Sequence, residues 1–156
     1  MKLSLIILFF LIYQIAVSQK EYRKFRQTLP GLSCTDSSQY DHALHNIPLL
    51  EKWVSQQPRH YGAYYDLAME YCSMCFGDTL PISEWSQKSI AANNKFIEVA
   101  PQKMKYRGYW NNAVLKGWLK DCNGAIEDLN MAKIFFRYPK KYWDAESEKL
   151  TREKCK

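Results

Sequence analysis

Glycine is scarce here, with six among 156 residues, at Gly31, Gly62, Gly77, Gly108, Gly117 and Gly124. They do not cluster, so no loop of successive backbone N–H groups is available to cradle a phosphate, and no G-x-S-x-G turn exposes a nucleophilic serine. The three histidines form no H-E-x-x-H pair, and the one C-x-x-C lacks a second to close a zinc site, although His42 and His45 could share a helical face. No apolar run reaches the roughly 20 residues that span a bilayer, and no aromatic-basic motif of an RNA-binding module is present. No reaction, metal or cofactor is therefore expected.

The chain opens instead on a short apolar leader. Lys2 supplies a positive start, Leu3 to Val17 is broken only by Ser4 and Gln14, and Ala16-Val17-Ser18 places small residues before Gln19. Residues 1–18 read as a secretory signal. Lys20, Arg23, Lys24 and Arg26 follow at once and weigh toward cytoplasmic retention, whereas the shortness of the run favours cleavage over anchoring. The expectation is an exported protein, periplasmic or secreted, with no stable membrane insertion. The formal charge of +6 is spread along the chain, as on a solvated surface, and nucleic acid is not an expected partner.

Export permits disulfides. The candidates are Cys34, Cys72, Cys75, Cys122 and Cys155, and an odd count leaves at least one thiol unpaired within a monomer. Cys122 could join Cys155 or Cys75, and Cys34 could join Cys72 or Cys75; sequence does not choose. Cys72-Ser73-Met74-Cys75 has the spacing of a redox dithiol but falls at a helix end, where the helix dipole opposes thiolate formation.

Pro58, Pro101 and Pro139 each follow an apolar-periodic segment, at intervals of about 40 residues, within the range that marks stacked repeat units. The first clear helix spans about Tyr61 to Cys75, with Tyr64, Leu67, Ala68, Tyr71 and Cys75 on one face. Ser83 can cap the next, whose buried stripe is Trp85, Ala92, Phe96, Val99 and Ala100, with Asn93 and Asn94 on a less apolar flank. A second pair follows: Tyr106, Tyr109, Trp110, Ala113, Val114, Gly117 and Trp118, a turn at Lys120 to Asn123, then Ala125, Ile126, Leu129, Ala132, Phe135 and Phe136. Glu127 and Asp128 read as solvated outer-face acids.

Upstream, Asn46-Ile47-Pro48 reads as a helix start, preceded by a weaker helical pattern from about Ser37 to His45. Residues 19–35 show no clear period and are taken as an irregular N-terminal segment, leaving 36–156 as one helical domain. The mixed-charge stretch after Pro139 suits a terminal helix that shields the end of a stack.

Tyr64, Leu67-Ala68 and Tyr71 in one helix, and Ala125, Leu129 and Ala132 in another, resemble the alternating helix pattern of tetratricopeptide repeats between about Tyr61 and Pro139. Asn112, Lys116, Ser89 and Asn93 depart from that pattern, and the longer turn after Cys75 is similar to the Sel1-like class. The resemblance implies an all-α fold of stacked antiparallel helix hairpins, an α-solenoid of about two repeats plus flanking helices. It also implies a concave surface lined by first helices, which would present Tyr65, Met69, Cys72, Arg107, Trp110, Val114, Gly117 and Trp118 to a protein or peptide partner. These are residue types enriched at interface centres, although Trp110 and Trp118 could equally complete a small core. The function expected is that of a non-catalytic adaptor or assembly factor. The rival readings are a small exported inhibitor or immunity-type protein and, behind it, a thiol or metal enzyme.

Overall fold

Small residues recurring one helical turn apart, among them Ala125 and Ala132 either side of Leu129, let neighbouring helices approach closely. The computed structural model describes residues 17–29, 40–75, 82–137 and 145–153. Among these there is no strand. Helix α1 is described over residues 17–26; α2 is Tyr40–Gln56, α3 Tyr61–Met74 and α4 Ile82–Val99. A 3₁₀ turn at Gln102–Met104 leads into α5, Lys105–Trp118, which is followed by α6, Cys122–Phe135, and α7, Ala145–Glu153. From α2 to α6 each helix packs on the next along the chain, and α7 lies against α5 and α6. None of the described helices is long and apolar enough to cross a membrane.

The helix ends follow from local chemistry. His60 accepts the Ala63 N–H at 3.2 Å to open α3, and Asp121 accepts the Gly124 N–H at 3.1 Å to open α6. Helix α5 closes with the Lys120 N–H donating to the Gly117 carbonyl and the Asp121 N–H to the Lys116 carbonyl. That double closure needs a left-handed residue, and Lys120 supplies it at φ 64° where glycine is the usual choice.

The buried stripe of α3 holds Leu67, Ala68 and Tyr71; α4 contributes Ala92 and Phe96, and α6 contributes Ala125, Leu129 and Ala132. Gly108 lets α5 approach α4: a Cβ there would lie 2.6 Å from Ile97 Cγ1 and 2.9 Å from Phe96 Cδ1.

Several expectations are corrected. Asn46 does not begin a helix, for α2 starts at Tyr40 and carries Pro48 inside it. The proline removes one helical hydrogen bond on a side where Leu44 and Pro48 are exposed, while Asn46 turns inward to a buried carboxylate. Residues 19–26, expected to be irregular, are helical and dock through aromatic side chains. Tyr22 lies 4.1 Å from the His60 ring, and Phe25 stacks on Trp53 at 4.7 Å. Ser83 lies within the first turn of α4 instead of capping it. Asn93, placed on the polar flank, is fully buried, whereas Asn94 beside it is exposed. Asp128 is buried rather than solvated, and it meets Lys116 at 2.8 Å.

Residues 1–16 of the leader, Cys34, the turn at 76–81, Pro139, Tyr142, Trp143 and Cys155 lie outside the described residues.

Candidate functional site

Helices α3 and α5 are separated in the chain by α4, and each turns one side chain row toward the space between them. On α3 that row is Tyr65, Met69 and Cys72, and on α5 it is Arg107, Trp110, Asn111, Val114 and Trp118, both at three- and four-residue spacing. Away from these rows the helices bury Leu67 and Tyr71 on α3 and Gly108 and Asn112 on α5. What remains between the rows is a cavity of about 210 Å³ lined by Met69, Cys72, Trp110, Asn111, Val114 and Trp118, with Ser89 of α4 and Leu115 completing it.

The polar atoms of this lining are largely engaged with the protein. The Ser89 hydroxyl donates to the Ala68 carbonyl at 2.7 Å, tying α4 to α3 beneath the groove. The Asn111 amide reaches across and donates to Met69 Sδ at 3.5 Å. The surface offered is therefore mainly indole, thioether and valine methyl groups.

One turn beyond the cavity, Arg107 stands over two rings, its guanidinium carbon 5.8 Å from the Tyr65 centroid and 5.9 Å from that of Tyr106. Its Nε also donates to the Tyr106 hydroxyl at 3.3 Å. The six residues proposed from sequence as a binding face thus lie along one groove: Met69, Trp110, Val114 and Trp118 in the cavity wall, Tyr65 and Arg107 in contact at its end. Gly117 is buried and does not line it.

The acids of these two helices point away. Helix α5 has none, and the two on α3 face the core. Asp66 accepts hydrogen bonds from the Tyr22 hydroxyl and Arg26 Nε, both at 2.7 Å. Burial and the neighbouring Asp66 charge push the Tyr22 phenol well above the usual tyrosine range. Glu70, 1% exposed, accepts from Asn46 Nδ2 at 2.8 Å, and burial raises its pKa to about 7 against the Asn46 hydrogen bond that lowers it.

Of the cysteine candidates, Cys72 and Cys122 are disulfide-bonded, and Cys75 is not. Cys75 keeps a buried thiol with Sγ 3.5 Å from Ser86 Oγ, and burial pushes its pKa up. It is corrected from the disulfide set for a local reason: its Sγ sits under the start of α4, between the Tyr71 and Ile82 carbonyls and Ser86. Cys72 and Cys75 therefore do not make a free dithiol. Among the described residues no group of three or more His, Cys, Asp or Glu side chains is gathered as a metal site.

Sequence reasoning missed Ser89, Asn111 and Leu115 in the lining. Asn111 could have been found, since it is four residues beyond Arg107 on the same face; Ser89 could not, because only the crossing of α4 beneath the groove brings it there. No protein-family model matches this chain, and no curated protein and no solved structure does.

Proposed function

We propose that this protein is an exported, non-enzymatic helical-hairpin module that binds another protein by holding one of its segments in the groove between α3 and α5. The groove is the supporting observation: two half-buried tryptophans, a methionine and a valine from two helices border one cavity, with an arginine-tyrosine pair at its end. In this reading the alternating hairpins act in the manner of a tetratricopeptide repeat, and the protein works as an adaptor or assembly factor by presenting a preformed surface.

The test is crosslinking capture from the native cells with the wild-type protein and a Trp110→Ala, Trp118→Ala variant, whose helicity is checked by circular dichroism. A specific partner captured by the wild type and lost from the folded variant supports the reading. Partners retained unchanged by the variant place the tryptophans in a purely structural role and sink it. Mass measurement of the exported chain tests export separately, with Gln19 as the expected first residue.

A further inference from the structure

The basic residues that follow the leader are gathered on one face by the docking of α1. Tyr22 is buried, its ring 4.1 Å from that of His60 and 5.4 Å from that of Trp53, and Phe25 stacks on Trp53. The Tyr22 hydroxyl and Arg26 Nε both donate to Asp66, each at 2.7 Å. These contacts fix the rotation of α1 about its own axis. At about 3.6 residues per turn, Lys20, Lys24 and Gln27 stand on the side opposite Tyr22, with Arg23 next to them. All four are exposed.

That outward row carries cations and no acid. Glu21 lies on the flank of α1 rather than in the row, and among the described residues Arg26 is the only basic group of α1 in an ion pair. Lys52 and Arg59, next in sequence to the Trp53 and His60 rings that α1 covers, are exposed as well and add the same sign beside the docked helix. Part of the chain's +6 is thus concentrated on one exposed helix side. Charge set out in a line along a helix meets an extended surface of opposite charge without needing a shaped pocket.

We propose that this face of α1 docks on the anionic headgroups of a phospholipid surface, with Lys20, Arg23 and Lys24 meeting the phosphates while Tyr22 and Phe25 stay packed on the domain. The place of α1 in the chain favours lipid over other polyanions. The apolar stretch Leu3 to Val17 ends directly before it, so the basic row stands beside the headgroups whenever that stretch enters a bilayer. Attraction of this kind acts within a Debye length, about 8–10 Å in ordinary salt, and each cation near an anionic surface strengthens binding about fivefold. Both aromatic side chains of α1 face the protein, so the contact is peripheral and rests on the charges. It does not depend on the groove between α3 and α5.

The experiment is co-sedimentation of the purified full-length protein with vesicles of phosphatidylcholine alone, or of phosphatidylcholine and phosphatidylglycerol in equal parts. The readout is the ratio of the two affinities, which cancels any affinity of the apolar leader for both. Wild type is compared with a Lys20→Gln, Arg23→Gln, Lys24→Gln variant and with a Lys95→Gln, Lys103→Gln, Lys105→Gln variant, which removes equal charge from α4, the 3₁₀ turn and α5; circular dichroism checks that each is folded. Wild type should prefer the anionic vesicles, and about 0.5 M salt should abolish that preference. The α1 variant should lose it by about a hundredfold, and the second variant should largely keep it. No preference in wild type, a preference that survives salt or the α1 variant, or equal losses in both variants would each overturn the proposal. Retention on a soluble sulfated polyanion without any preference for anionic vesicles would assign the row to that class and overturn the lipid assignment.

Discussion

The Glu70 carboxylate lies 2.8 Å from the Asn46 side-chain nitrogen within the contact between α2 and α3, and neither residue reaches solvent. Its second oxygen, Oε2, has no hydrogen-bond partner among the described residues. A carboxylate so placed resists ionisation, because burial penalises the charged form.

Stability should consequently fall with rising pH. The folded-state pKa of Glu70, about 7, lies above the ordinary carboxylate value, so the native state binds the proton more tightly. The contribution is fully present below pH of about 4.5, is lost as pH rises through about 7, and amounts to about 3 kcal/mol. His60 works the other way: burial lowers its pKa, and its share is present above the ordinary histidine value near 6.5 and lost as pH falls below it. Urea unfolding of Glu70→Gln against wild type at pH 5 and pH 8 checks this. The variant should match wild type at pH 5 and exceed it at pH 8; equal stabilities at both would refute the assignment.

The docking of α1 should depend on Asp66. Removing the hydroxyl in Tyr22→Phe takes away one of its hydrogen bonds, at a cost of about 1 kcal/mol. Asp66→Ala strands both Tyr22 and Arg26, and because the Arg26 side chain is half exposed the expected loss is about 2 kcal/mol, less than for a fully buried ion pair. Chemical denaturation measures both, and a smaller effect for Asp66→Ala than for Tyr22→Phe would contradict the arrangement.

Gly108 presents two opposed effects of similar size. Alanine is favoured in a helix interior by about 1 kcal/mol, but the new methyl would stand 2.6 Å from Ile97 Cγ1 and 2.9 Å from Phe96 Cδ1. Overpacking costs about 1–3 kcal/mol, and Phe96 is itself fully enclosed. Gly108→Ala should therefore lower the melting temperature, whereas a rise would mean that α4 and α5 separate with little resistance.

Cys75 should be chemically silent in the native protein. Its thiol is buried with its pKa raised, and alkylation requires an accessible thiolate. Iodoacetamide at pH 8 without reductant should leave Cys75 unmodified, and label it once denaturant is added, as read by peptide mass mapping. Rapid native labelling would place Cys75 at the surface.

The helices from α3 to α6 were legible because each buries a regular stripe ended by proline, a capping residue or a turn. It was the resemblance to tetratricopeptide repeats, laid over that pattern, that put Met69, Trp110, Val114 and Trp118 on one expected surface. What escaped was polar. Asn46 reads locally as a cap and becomes interior only because Glu70 needs a donor. Asp128 reads as a surface acid until Lys116 crosses from α5. Helix α1 offers only Tyr22 and Phe25, with Leu29 just beyond it, and its docking rests on Asp66, some forty positions away, which no local periodicity can reveal.

Two departures from the repeat pattern prove to be partners across successive helix contacts. Asn112 donates to Asn94 Oδ1 at 2.8 Å, joining α5 to α4, and Lys116 meets Asp128, joining α5 to α6. These positions stand one turn apart on α5, so a slide of that helix breaks both together, whereas alanine and leucine contacts would tolerate several offsets. The same arrangement limits modular exchange: a hairpin transplanted from another helical scaffold would bring a matching apolar seam yet leave Asn94 or Asp128 facing the wrong side chain. Recombination that keeps α4, α5 and α6 as one block preserves both matches, and a crossover in the α4–α5 or the α5–α6 connection forfeits one.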